Sequence, residues 1–262
     1  MLLEPATPPS VRRIARRLGG PGCAEMSSIG TILASLVNGG STGGSLPELL
    51  CRRCVDALPV SGVGMALMTD GDHQGVVAAT DRPSRAMEDL QFALGEGPCL
   101  DASREGRPVL LPDLAGSAGR WPGFVPAVLS AGIAAVFALP LQVGGIRLGV
   151  LDLYRETPGS LSDGDLALAL MYADAATVVL LHLQSQMPAG DGLHPQLVDS
   201  WGNRPEIHHA TGIITVQAGV ELADALLLLR TRAFVAGRPI LDVARDVVAR
   251  RLRFDLDPND NE

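Results

Sequence analysis

Two apolar runs, GIAAVFALPL at 132–141 and IRLGVLDLYR at 146–155, stand back to back with only QVGG between them. Strand-length apolar segments joined across Gly-Gly read as a β-hairpin. The hairpin leads into SLSDGDLALALMYADAATVVLLHLQSQ at 160–186, a long helical run for which Ser162 or Asp163 supplies the N-cap oxygen. That succession restricts the chain to a mixed α and β architecture. The stretch from Leu166 to Leu183 is apolar enough to raise the question of a membrane span. Asp174 and His182 lie inside it, and a carboxylate at mid-span is costly in lipid, so the reading is a helix buried in protein. Leu166, Leu170, Ala173, Thr177, Leu180 and Gln184 recur at four-then-three spacing. Such spacing fits a coiled-coil seam between two copies, or packing on the chain's own sheet, or both on different faces.

Upstream, helical patterns run over 26–38 and 46–57. GVGMALMT (62–69) and GVVAAT (75–80) read as strands around DGDHQ, RPSRAMEDLQFAL (82–94) as a helix broken by GEGP, and RPVLL (107–111) as a short strand. Residues 1–25 mix Pro, Gly and Arg and are expected to be mobile. MPAGDGLHP opens a linker over 187–203. Three short amphipathic helices follow at about 196–217, 221–236 and 239–252. Leu222, Leu226, Leu229 and Ala233 share one face of the second, and Ile240, Val243, Ala244, Val247, Val248 and Leu252 one face of the third. Gly237 and Pro239 provide a helix stop and a helix start.

Charge separates these regions. Residues 1–203 carry 13 Arg against 20 acids, residues 204–254 carry 8 Arg against 5 acids, and the tail 255–262 carries 4 acids and no base. A small basic module on an acidic carrier points to local polyanion binding, and the overall net charge of −8 excludes a chain that coats nucleic acid along its length. The cysteines Cys23, Cys51, Cys54 and Cys99 fit no zinc spacing, and no apolar segment follows the early arginines as a secretory signal would require. Reduced thiols in a cytoplasm are expected, and no metal or cofactor is assigned.

Several residues support family resemblances. LGEGPCLDA (94–102), the DL…RWPGF run (113–124) and the paired strands ending in LDLY resemble a GAF domain over 26–186. Ala210-x-Gly212, Ala225, Leu229-Arg230, Ala233, Arg238-Pro239 and Leu241-x-Val243-Ala244 resemble the ANTAR domain over 204–254. The resemblances imply an α+β GAF fold, an antiparallel sheet flanked by helices, followed by an all-α three-helix ANTAR bundle, in a sensor–output arrangement of actinobacterial type. Many ANTAR members carry Lys between the Ala and the Gly, where this chain has Thr211, and a lost cation there would remove about one counterion from the salt dependence.

The function implied is a signal-responsive antiterminator. Its GAF half would sense an unidentified small molecule or redox state, and its ANTAR half would bind terminator-type RNA hairpins as a homodimer, without a membrane and without catalysis. For RNA the candidates are Ala210, Gly212, Arg230, Arg232, Arg238, Arg245 and Arg250, with Arg251 and Arg253 beside them. Guanidinium planes suit both phosphate contact and base stacking, and the small residues permit close approach. They also read as solvated charges and tight packing. For the GAF pocket the candidates are Cys99, Asp101, Trp121 and Phe124, the aromatics either capping a cavity or filling core. Cys51 and Cys54 share a helix face and read as structural residues, with a redox or metal site shared with Cys99 as the other reading. Two alternatives stand beside the antiterminator: a thiol-dependent methionine sulfoxide reductase of GAF type, and a DNA-binding helix-turn-helix regulator.

Overall fold

The computed structural model describes residues 23–38, 44–69, 72–187, 194–198 and 205–254. Most of the expected N-terminal segment, most of the linker and the whole acidic tail lie outside the described residues. The elements in chain order begin with α1 (Cys23–Asn38), α2 (Leu46–Ala57), β1 (Gly62–Thr69), β2 (Asp72–Ala79), α3 (Arg82–Leu94) and α4 (Pro98–Glu105). Next come β3 (Val109–Leu111), a 3-10 turn (Leu114–Ser117), α5 (Phe124–Ser130), β4 (Ala135–Val143), β5 (Ile146–Arg155) and α6 (Asp163–Gln184). Last are α7 (Pro195–Val198), α8 (Pro205–Ala218), α9 (Leu222–Val235) and α10 (Ile240–Val248).

The five strands form one antiparallel sheet in the order β2-β1-β5-β4-β3. The β4–β5 hairpin turns at Gly144 and Gly145, with Val143 paired to Ile146. Both sheet faces are covered. Because side chains alternate along a strand, Met65, Phe137, Leu139, Leu151 and Leu153 face α1, α2 and α6, while Val136, Ala138, Val150 and Tyr154 face the cluster of α4 and α5. Burying each of the larger aliphatic and aromatic side chains among these contributes about 1.5–3 kcal/mol, so the two faces supply the core.

Local sequence sets the helix ends. Ser45 and Glu48 form a capping box on α2, Glu48 N donating to Ser45 Oγ at 3.3 Å and Ser45 N to Glu48 Oε2 at 3.1 Å. Asp81 caps α3 by accepting from Ser84 N at 2.7 Å, and Gly95 stops it in the left-handed region at φ +67°. Ser162 caps α6, accepting from Asp165 N at 3.1 Å.

The α6 helix is long and apolar enough to cross a membrane, yet half of its most apolar window is buried in the chain. Ala173, Thr177 and Leu180, three positions of the expected seam, lie buried, and Ala173 and Leu180 belong to the core cluster shared with the sheet. Their spacing reflects packing on the chain's own domain. The exposed large apolar residues of the helix are Leu170, which also belongs to that spacing, and Leu181.

The three C-terminal helices pack around Ile207, Ala210, Ile214, Ala225, Leu229, Val243, Ala244 and Val247. Of the helix expected over 196–217, Pro195–Val198 and Pro205–Ala218 are helical, and residues 199–204 lie outside the described residues. The third stops at Val248, earlier than 252, because Arg250 turns into the left-handed region at φ 58°. The amides of Arg251 and Leu252 then close on Asp246 O at 2.7 and 3.2 Å. Helices α4 and α5 were not expected. Pro98 and Phe124 open them directly after glycine-rich turns that read as loop.

Candidate functional site

On the sheet face covered by α4 and α5, β5 carries a carboxylate in mid-strand. Asp152 is fully buried, and its cross-strand neighbours are Gly64 on β1 and Ala138 on β4, so small residues leave space on both sides of it. Glu88 of α3, also fully buried, fills the space over Gly64. A Cβ on Gly64 would stand 2.4 Å from Glu88 Oε1. The two carboxyl groups hydrogen-bond each other.

Gln91, one turn along α3, donates from Nε2 to Asp152 Oδ2 at 3.0 Å and accepts the Cys99 amide on Oε1 at 2.8 Å. That second bond explains the glycine before Pro98. At Gly97, φ +138°, a Cβ would come within 2.5 Å of Gln91 Oε1. The Cys99 sulfur and one oxygen each of Glu88 and Asp152 lie within 4.8 Å of one another. Asp152 Oδ1 and Ser103 Oγ, the latter one turn beyond Cys99 on α4, are buried without a hydrogen-bond partner.

Electrostatics follow from burial. Burial first, then the Glu88 charge and the Glu88 hydrogen bond, raise the Asp152 carboxyl well above the usual range, partly opposed by Gln91. Burial also raises the Cys99 thiol, with Asp152 and Glu88 adding to the effect.

The expected pocket residues divide. Cys99, Trp121 and Phe124 are buried in one cluster, Trp121 edge-on to Phe124 with ring centroids 6.5 Å apart. Asp101 turns outward on α4 and pairs with Arg120 at 2.7 Å, whose guanidinium stacks 4.6 Å from the Trp121 ring centroid. Glu96 joins the two motifs: its Oε1 accepts the amides of Gly123 and Phe124 at 2.7 and 2.9 Å and so caps α5. Cys51 and Cys54 are buried in the cluster on the opposite sheet face, which fits the structural reading and not a site shared with Cys99. Burial raises both thiols, Cys54 to about 12.

Glu88, Gln91, Asp152 and Gly64 were absent from the sequence expectations. Their signal was present in part, since Asp152 is the one acidic residue of β5, set within the apolar run LGVLDLY.

The C-terminal bundle presents a second feature, an open groove of about 770 Å³ lined by His208, His209, Gly212, Gln217, Arg250 and Arg253 among others. Gly212 is exposed, and a Cβ there would meet nothing within 4 Å. Ala210 is fully buried and acts in packing. Thr211 is buried too and donates to Ile207 O at 2.7 Å, so this position does not face the groove and no surface cation is missing from it.

The other arginines lie elsewhere. Arg232 is exposed on α9. Arg238 and Arg251 both bind Asp246, at 2.8 and 2.7 Å. Arg245 pairs with Glu206 and Asp242, each at 3.4 Å. Arg230 leaves the bundle surface and donates from Nε to Phe92 O on α3 at 3.0 Å. The structure thus brings Gly212, Arg250 and Arg253 together and does not gather the other candidates with them.

A family model described as GAF domain matches residues 46–180. The chain matches no curated protein. Among solved structures it is similar to the GAF domain of a phosphoenolpyruvate-protein phosphotransferase from Coxiella burnetii, with 17% identity over 61% of this chain and 96% of that one and a TM-score of 0.46. It is also similar to a free methionine-R-sulfoxide reductase from Neisseria meningitidis in complex with its substrate, with 16% identity over 64% of this chain and 95% of that one and a TM-score of 0.43. A third is the domain of a two-component sensor histidine kinase protein from Sinorhizobium meliloti, with 19% identity over 53% of this chain and 91% of that one and a TM-score of 0.45. With the matched segment spanning more than half of its residues, the chain belongs to the GAF domain family.

Proposed function

We propose that this chain is a signal-responsive, RNA-binding regulator of transcription antitermination. Its GAF half senses a small molecule or redox state, and its three C-terminal helices act as an ANTAR-type module on terminator-type RNA hairpins. The observation that carries the reading is the groove on the bundle, where the exposed Gly212 opens beside His208, His209, Arg250 and Arg253 in the net-basic stretch of the chain. A backbone open at glycine beside guanidinium groups can receive a phosphate chain and stack on splayed bases, the features by which hairpin loops are recognised. The protein works in the cytoplasm as a homodimer and catalyses no reaction. Leu170 and Leu181 on α6 provide apolar surface for the second copy.

The test is a gel-shift titration of the full chain on tandem terminator hairpins across a salt series. Wild type is expected to bind, and Arg250→Ala is expected to weaken binding and flatten the log-affinity against log-salt slope by about 1. Failure to bind any hairpin at low salt sinks the proposal. Equal displacement by duplex DNA would favour a helix-turn-helix reading instead.

A further inference from the structure

We infer that Glu88, Cys99 and Asp152 form a binding site for a divalent first-row transition ion of the zinc or ferrous type. The three donors come from α3, α4 and β5, and one donor atom of each lies within 4.8 Å of the other two. All three residues are fully buried. A thiolate with two carboxylates is a donor set for a borderline ion, while calcium or magnesium would call for oxygen alone.

Independent of the cluster's composition, Asp152 Oδ1 is a buried acceptor to which no protein group donates. An oxygen left in that state inside a core is unfavourable unless something occupies it. The surroundings fit an ion. Gly64 and Ala138 leave space beside Asp152. Gln91 orients both the Asp152 carboxylate through Nε2 and the start of α4 through the Cys99 amide, as outer-shell groups do around metal ligands. Met87, Leu100, Val136 and Val150 in the same cluster keep bulk water away.

Tetrahedral coordination at ordinary Zn–S and Zn–O lengths sets donor atoms about 3.4–3.6 Å apart, inside the 4.8 Å that bounds the three donors here. Three protein ligands leave the fourth position for a small donor molecule. As the ligand of the sensing half the ion rests on the sensory reading above. As a metal site it does not.

The test uses the full chain, reduced, stripped of metal and titrated with Co²⁺ under anaerobic conditions. The expected result is one equivalent bound, with a thiolate-to-cobalt band in the near ultraviolet that Zn²⁺ abolishes. Cys99→Ser should lose the band, and Asp152→Asn should weaken binding at least about tenfold. The double variant Cys51→Ser/Cys54→Ser should keep both band and affinity. Glu88→Gln, an isosteric change, provides a second reading if Cys99→Ser fails to fold, which circular dichroism will show. The site is overturned if no stoichiometric Co²⁺ binds, if the band survives in folded Cys99→Ser, or if it vanishes with Cys51 and Cys54. Metal that binds as expected but leaves hairpin affinity unchanged overturns the sensory reading and supports the site.

Discussion

Replacing Gly64 with Ala tests whether the strand was shaped around Glu88. The glycine is in extended backbone, paired with Asp152, and has no positive φ to defend. The added methyl would lie 2.4 Å from Glu88 Oε1, 3.0 Å from its Cγ and 3.1 Å from its Cδ. Glu88 is fully buried and hydrogen-bonded to Asp152, so it has no solvent route by which to yield. Overpacking a dense core costs about 1–3 kcal/mol, and straining a buried hydrogen bond adds about 1. Restricting the unfolded chain returns about 0.4–1 kcal/mol. A net loss of about 2 kcal/mol follows, or a fall in Tm of roughly 4–8 °C for a domain of this size. Urea denaturation followed by circular dichroism reads it. The cause is isolated by a double-mutant cycle, because in a Glu88→Ala background the same methyl has room and Gly64→Ala becomes neutral or mildly stabilising. A coupling of about 2 kcal/mol is expected. If the two changes add within about 0.5 kcal/mol, the argument that Gly64 makes room for Glu88 is wrong.

Three further expectations concern the bundle and the thiols. Arg250→Gly relieves a left-handed non-glycine residue and should stabilise the protein by about 1 kcal/mol in thermal melts while weakening hairpin binding; a loss of stability would contradict the strain. Hydrogen bonds from Arg238 and Arg251 hold the Asp246 carboxyl below its ordinary range. A depressed folded value stabilises above the unfolded pKa of about 3.9 and is lost as pH falls through the folded one. Stability should therefore fall more steeply with acid below about pH 4 in wild type than in Asp246→Asn, and parallel acid profiles would refute the network. Cys51, Cys54 and Cys99 are buried with raised thiols, so a Cys23→Ser protein should react with a disulfide reagent only as fast as it opens in urea. Prompt modification of the native state would show that at least one of them is accessible.

Period and punctuation made much of the fold legible. The β4–β5 pair, α2, α3 and α6 follow from apolar spacing bounded by Ser, Asp, Gly and Pro, and those signals act locally. Helices α4 and α5 were not legible, because each is short and begins within a glycine-rich turn. What holds them is tertiary, the side chains of Gln91 and Glu96 reaching from α3 and the loop after it. The buried polar cluster was hidden for a related reason. Glu88 and Gln91 look like ordinary solvated positions of an amphipathic helix until the sheet register sets Asp152 beside Gly64. Cys51, Cys54 and Cys99 invite a shared site by residue type alone, but α2 and α4, which carry them, pack on opposite faces of the sheet. The spacing on α6 left two readings open because helix packing on a sheet and helix packing on a second helix both select small and aliphatic residues at three-and-four spacing.

Arg230 shows how a residue type chosen for one partner serves another. It was expected to meet phosphate, yet its Nε donates to the carbonyl of Phe92, in the last turn of α3, and its guanidinium lies 5.3 Å from the Phe92 ring centroid. The last carbonyls of a helix lack amide partners and carry the negative end of its dipole, so a cation is favoured there. Gly95, just past that turn, keeps the approach open, since a Cβ on it would lie 3.1 Å from Arg230 Nη1. Phe92 itself is buried in the bundle's cluster, which makes α3 the element shared by the carboxyl–thiol cluster and the C-terminal helices. Removing the side chain in Arg230→Ala forfeits a charge-assisted hydrogen bond and a cation–π contact, about 2–4 kcal/mol of docking. Hydrogen exchange should then rise at the amides of 90–95, and the salt slope of hairpin binding should stay as in wild type. A phosphate-contact role makes the opposite forecast, with exchange unchanged and the slope reduced by about 1. That pattern would return Arg230 to the RNA face and remove the link between α3 and the bundle.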